Sequence, residues 1–561
     1  MAMPEMPVVF SQNTFLEINL NSQNNRNLPL SNRPKSLLET ISVIEKAAND
    51  KRIGGIVLNI SSCRAGQDTL WEIRSVLEKF KSTGKKLCVF IGSANMDLYC
   101  LATIADKIIM DEQGSLMLLG YAWGRPFMQH SMEKLGIGVR ELRYLEYKSA
   151  GETFTRDSLS DADRRQYGEV LDDIIEVTAD AITKARSFTR DEFNDIINNE
   201  FLFSAKSALE RKLVDYTGRK EILAQAVKEL SGTKKEVNFL LYGDLASSLS
   251  GSKKLYKPPK TGSHKSPVIA VIYANGTTDM ERGIAAWNLA HTINTVSKKK
   301  SVKALVIRIN SPGGSAEAAD CIAEAIRNAK KKIPVVVSMG SVAASGGYWA
   351  SMDASHITAS PFTLTGSIGV IGTWFYEAGL NEKLGLTSDI IQRGTHADLM
   401  TGIILPRRDL NSGEEARFKD LILDLYGDFT ARVAKSRNMD IEQVESVAQG
   451  RVFSGTGALK AGLIDSIGGL ADAITVARSL AKIPENKKVS FDEYPKPKFI
   501  EKLIARIMRS NIFMENKITL PDIFITDMFF PMLMLEELRY RIANNGQVMP
   551  ILSIDSGWQP Q

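Results

Sequence analysis

The sequence predicts an α/β protein built from two tandem copies of one αβ unit, with a helical tail at the C-terminal end. Three observations carry this. Buried strand-like runs alternate with stretches of helical periodicity, the order that βαβ crossovers and a parallel sheet produce. Matching segments recur at a fixed spacing. The 561 residues are also more than one hydrophobic core organises.

In chain order, Val8 to Asn21 alternates apolar and polar residues and reads as an opening strand. Leu37, Leu38, Ile41, Ile44 and Ala47 recur at helical spacing within Ser36 to Ala48. Strands are then predicted at Ile53 to Ile60 and Lys86 to Ile91, and helices at Thr69 to Lys81 and Met96 to Ala105. Gly54 to Ile60 reappears as Lys303 to Ile309, and Tyr99 as Tyr348, both 249 residues on. Phe203-Ser204 and Leu213-Val214-Asp215 return 250 residues on, as Phe453-Ser454 and Leu463-Ile464-Asp465. A spacing held over so long a stretch implies an internal duplication.

The expected organisation is therefore an N-terminal strand segment (1–35), a first repeat (36–250), a linker rich in Gly, Pro and Lys (251–266), a second repeat (267–485) and an extension of open role (486–561). In the extension Ile500, Leu503, Ile504 and Ile507 lie at helical spacing, followed by the apolar run Met528 to Leu535. That pattern fits packing on the body or on a neighbouring subunit better than an interfacial membrane segment.

Composition is that of a soluble globular protein, 44% hydrophobic and 24% charged. The net charge of +5 is small and scattered, and no basic-aromatic module appears, so nucleic acid is not an expected partner. Met1 to Pro7 has no basic segment leading into an apolar one, and no apolar run reaches membrane-spanning length. Cys63, Cys88, Cys100 and Cys321 lack metal-ligand spacing and read as reduced core residues, so neither a metal nor another cofactor is expected.

The chemistry centres on Pro334 to Trp349, where a β-branched run feeds small residues into Ser345-Gly346-Gly347. Such a sequence suits a sharp strand-to-helix turn that presents a hydroxyl, which makes Ser345 a candidate nucleophile; a lone Ser-Gly-Gly would sooner be read as a simple turn closing a core strand. Upstream, the strand Leu305 to Ile309 ends in Asn310-Ser311-Pro312-Gly313-Gly314-Ser315 before another helix. Paired glycines there let backbone N–H groups face an anion at a helix N-terminus. The first copy has Cys63, Arg64 and Ala65 opposite Pro312, Gly313 and Gly314, so it lacks the glycine pair, and it has Met96 opposite Ser345.

A serine nucleophile needs a base. None of His130, His264, His291, His356 and His396 sits in a triad-like setting, which leaves a lysine kept neutral by burial. Lys148 lies in the apolar, aromatic segment Tyr144 to Glu152, whereas the fixed spacing sets Ala397 opposite it in the second copy. One copy keeps the serine and the other the lysine, so a single composite site per chain explains both losses.

Together, Ser311 to Ser315, Ala343 to Trp349, Leu364-Thr365-Gly366-Ser367-Ile368-Gly369 and Tyr147-Lys148-Ser149-Ala150 resemble the signal peptide peptidase A (protease IV) family in its long, duplicated form, over about residues 36 to 485. The resemblance implies a Clp-protease/crotonase-like fold in each repeat and a Ser345–Lys148 dyad. It also implies an oxyanion hole from the N–H groups of Gly314 and Gly346, with Ser367 supporting the lysine. Members of the family form a homotetramer and cut short apolar peptides such as signal-peptide remnants. Long members usually begin with a membrane anchor, which is not visible here, so a cytoplasmic or peripheral membrane location is expected. The competing readings are a crotonase-type acyl-CoA enzyme and a non-catalytic assembly subunit.

Overall fold

The computed structural model describes residues 14–20, 36–61, 63–219, 221–232, 237–241, 266–496 and 548–549. Two parallel sheets share one strand order. In the first, Asn238–Leu241, Thr14–Asn19, Ile53–Asn59, Lys86–Ile91, Lys107–Met110 and Tyr216–Thr217 lie side by side. In the second, Ser490–Tyr494, Val268–Asn275, Val302–Ser311, Val335–Ala344, His356–Ala359 and Ser466–Ile467 repeat that order. Helix Gln67–Lys81 returns as Ala316–Lys330 and strand Lys107–Met110 as His356–Ala359, each 249 residues on. The α/β class and the duplication are thus both present.

The helices form for local reasons. The hydroxyl of Ser36 accepts from Glu39 N at 3.2 Å to start Leu37–Asn49, and Ser315 accepts from Ala318 N at 3.3 Å to start Ala316–Lys330. Ala319, Ile322, Ala323 and Ile326 follow at the spacing that lays one stripe against the sheet, and all are fully buried.

Two expected boundaries move. Thr14–Asn19 is an inner strand of the first sheet, so part of the segment 1–35 belongs to the first repeat. Ser490–Tyr494 pairs with Val268–Asn275, which carries the second sheet past residue 485. That strand reads Ser-Phe-Asp-Glu-Tyr and buries only its last residue, so it lacks the apolar signature of an inner strand. The predicted helix from Met96 stops at Ala102. The linker up to residue 265 lies outside the described residues, as do Ile500 to Ile507 and Met528 to Leu535. Of the distal tail only Val548–Met549 is described, as a strand antiparallel to Ile371–Gly372.

The halves are fused, not merely tethered. One buried cluster includes Ile56, Leu58 and Val89 of the first sheet with Ile269, Val271, Val306 and Val336 of the second. Across this junction Arg308 meets Glu72 at 2.6 Å and Asp68 at 3.2 Å, and Asp68 also accepts from Ser341 Oγ at 2.7 Å. A second connection is an antiparallel ladder between Ile137–Leu142 and Ile371–Glu377, with Leu142 opposite Gly372 and Ile137 opposite Glu377.

Candidate active site

Strand Val335–Ala344 is buried at every position but Ser341, and its last three residues pair with Leu364–Gly366. Ser345 follows at φ 57° and ψ −116° and opens the helix Gly346–Ser351. Its N–H donates to Gly366 O at 2.8 Å, and its C=O accepts from Trp349 N at 2.8 Å. The glycines after it are sterically required. A Cβ on Gly347 would stand 2.6 Å from Ser311 O, and one on Gly346 would stand 2.6 Å from Thr278 Oγ1. Tyr348 OH then anchors the helix to Leu463 O at 2.9 Å, as Tyr99 OH does to Leu213 O at 2.8 Å in the first half. There, however, the strand breaks after Ile91 and Asn95 caps the helix at an ordinary φ of −89°.

Beside this turn, Gly313 and Gly314 adopt φ of 104° and 148°. Thr278 bridges them in parallel fashion, donating to Gly313 O at 2.8 Å and accepting from Ser315 N at 2.7 Å. A parallel bridge engages the neighbours of the bridged residue, so the N–H of Gly314 itself is left over. The N–H of Gly346 belongs to the first helical residue and has no intrahelical acceptor.

Lys148 enters from the other half. It lies six residues past the ladder strand Ile137–Leu142, and its side chain is 1% exposed. Its Nζ contacts Ser345 Oγ at 2.6 Å, Ser367 O at 2.8 Å and Ser367 Oγ at 2.9 Å. Burial holds its pKa well below the ordinary 10.5. The nearby carboxylates are engaged elsewhere: Glu152 pairs with Arg143 at 2.6 Å and Arg125 at 3.2 Å, and Asp163 also pairs with Arg125. Ser367 is held in the left-handed region at φ 49°, its N–H on Arg451 O at 2.7 Å.

Of the residues singled out in the sequence, Ser345, Lys148 and Ser367 come within hydrogen-bonding distance, and Gly314 and Gly346 lie next to each other. The four described histidines pair elsewhere, His130 with Glu133, His291 with Thr295, His356 with Ser466 and His396 with Glu414. Among the described residues no cluster of His, Cys, Asp and Glu could hold a metal ion, and all four cysteines are free.

The spacing is kept on both sides of Lys148. Glu133-Lys134-Leu135-Gly136 recurs as Glu382-Lys383-Leu384-Gly385, 249 residues on, with both glycines in the left-handed region at φ 74° and 66°. Helix Asp161–Arg186 returns as Ser412–Arg437, 251 residues on. The counterpart of Lys148 therefore falls within two residues of Ala397, in an exposed to half-buried stretch without a lysine.

Gly450 was not singled out by the sequence. At φ 83° it lies against the lysine's backbone, so that an added Cβ would stand 2.6 Å from Lys148 Cβ and 2.7 Å from its Cα. Its neighbour Gln449 accepts from Tyr147 N at 2.9 Å. The one available signal was Glu200, which stands 250 residues before Gly450 ahead of the matching Phe203-Ser204. Gly450→Ala is expected to displace the amine and lower kcat by about 10²-fold, read against a thermal melt that reports any loss of fold.

The model of peptidase family S49 matches residues 79–234 and 327–484, and the model of Clp protease matches 275–356. The chain belongs to peptidase family S49. Each of the two S49 matches holds one member of the pair, Lys148 in the first and Ser345 in the second. The chain is 33% identical to the chloroplastic serine protease SPPA of Arabidopsis thaliana, over 81% of this chain and 67% of that one. It is also 33% identical to Protease 4 of Salmonella typhi, over 80% and 73%. This S49 member is accordingly a serine peptidase. Among the described residues no helix is long and apolar enough to cross a membrane.

Proposed function

We propose that this S49 peptidase cuts short apolar peptides, such as remnants of cleaved signal peptides, through a Ser345–Lys148 dyad. The observation that carries the reading is a fully buried amine 2.6 Å from a fully buried hydroxyl, with no carboxylate among the described residues on the amine to keep it charged. Neutral Lys148 takes the proton of Ser345 Oγ as the oxygen attacks the peptide carbonyl carbon. The oxyanion is received by the N–H groups of Gly314 and Gly346, where one donor contributes about 3 kcal/mol. The ammonium then protonates the departing amine, and the C–N bond breaks to leave an acyl-enzyme. Water attacks that ester with Lys148 again as base, releasing the acid and restoring Ser345. Ser367 aims the amine through its carbonyl and hydroxyl oxygens.

The preference for apolar peptides is part of the proposal, and the surroundings of the nucleophile are themselves apolar: Val342 and Ala344 pack with Val452, Leu364 and the stacked rings of Trp123 and Tyr167, 4.1 Å apart. A homotetramer is part of the proposal. The exposed Leu384, Ile391 and Met400 offer apolar surface for subunit contact, and the tail is a candidate for peripheral membrane contact. A fluorophosphonate serine probe is expected to label the wild-type chain and not Ser345→Ala. A panel of apolar peptides is expected to be cleaved in preference to charged ones, with native mass measured alongside. Labelling that survives in Ser345→Ala would overturn the assignment of the nucleophile.

A further inference from the structure

We propose that the hydroxyl of Thr278 is a third hydrogen-bond donor to the oxyanion, beside the N–H groups of Gly314 and Gly346. The proposal rests on the catalytic reading of Ser345 given above. Thr278 is fully buried, yet its Oγ1 finds no hydrogen-bond partner among the described residues. A buried hydroxyl left unpaired costs about 1–3 kcal/mol, so its persistence calls for a reason.

Its position supplies one. The backbone of Thr278 is bridged to the Gly313-Gly314-Ser315 turn, which fixes the side chain against both glycines. Cβ atoms added to Gly346 and Gly314 would stand 2.6 Å and 2.9 Å from Oγ1. The absence of side chains at these two positions thus does more than free two N–H groups. It makes room for a hydroxyl between them, and the partner that this hydroxyl lacks is the charge that develops there when Ser345 attacks. The group is preorganised by a backbone bridge and shielded from water, the two conditions under which a neutral donor stabilises an anion most. It is neutral, so it needs no titration and adds no charge to the burial site of Lys148.

The test compares Thr278→Val, which keeps the branched shape, with Thr278→Ser, which keeps the hydroxyl. An apolar peptide serves as substrate, and a peptide boronate serves as the tetrahedral mimic that Ser345 Oγ forms by adding to boron. Thr278→Val is expected to lower kcat by about 10²-fold with KM little changed, and to weaken boronate binding by a similar factor. Thr278→Ser is expected to retain most of both. Wild-type activity in Thr278→Val overturns the proposal. Equal damage in Thr278→Ser also overturns it, because the methyl group and not the hydroxyl would then matter. Ser345→Ala is run in parallel: hydrolysis surviving there sinks the catalytic reading, whereas an inert Ser345→Ala beside an active Thr278→Val sinks only the third donor.

Discussion

Lys148→Ala and Lys148→Arg are each expected to lower kcat/KM for an apolar peptide by about 10⁴-fold while the chain stays folded. Alanine removes the base. Arginine stays protonated at any accessible pH and cannot take a proton from Ser345. In the wild type the working form is the neutral amine, so kcat/KM should climb with pH through the lowered pKa of Lys148 and then level. A rate that falls on the alkaline limb without unfolding, or full activity in either variant, would sink the dyad.

The same titration appears in stability, with a definite sign. Between the lowered pKa and 10.5 the unfolded chain carries a proton on this amine that the folded chain lacks. The unfolded state therefore binds more protons in that window, and unfolding becomes harder as pH rises. Compared with Lys148→Met, which keeps the bulk of the stem without the titration, the wild type should gain stability from the lowered pKa up to 10.5 and no further. Denaturant midpoints across that range measure it, and parallel curves for the two proteins would contradict a depressed lysine.

Ser345→Ala is expected to lose hydrolysis by about 10⁶-fold, the scale on which removal of a serine nucleophile acts. Ser345→Gly should be as inactive and yet more stable than Ser345→Ala by about 1 kcal/mol. The reason is the backbone at φ 57° and ψ −116°, where a Cβ is strained and glycine is not. A serine kept in such a conformation is retained for its hydroxyl at the expense of the turn. Equal denaturant midpoints for the two variants would show that the turn carries no strain.

Much of this was legible in the sequence because a duplication writes the same element twice. The pairing of Tyr99 with Tyr348 locates equivalent helices, and both hydroxyls do make the same bond to a leucine carbonyl. Ser345 and Lys148 stood out through asymmetry between the copies. What stayed hidden depends on which backbones touch. Gly450 is needed because the lysine's main chain presses on it, and Thr278 matters through a bridge to a turn 36 residues away. Neither contact leaves a periodic trace. The strand Ser490–Tyr494 escaped because a polar edge strand has no apolar pattern.

The ladder between Ile137–Leu142 and Ile371–Glu377 has a consequence for when this peptidase becomes dangerous to its own cell. A slip of two residues along it would carry the lysine about 7 Å, far outside the reach of a 2.6 Å hydrogen bond. On the proposed chemistry, a chain emerging from the ribosome displays its base long before its nucleophile exists. It stays harmless until the last strands close in the correct register. Inactivity during synthesis thus follows from the order of the two groups along the chain.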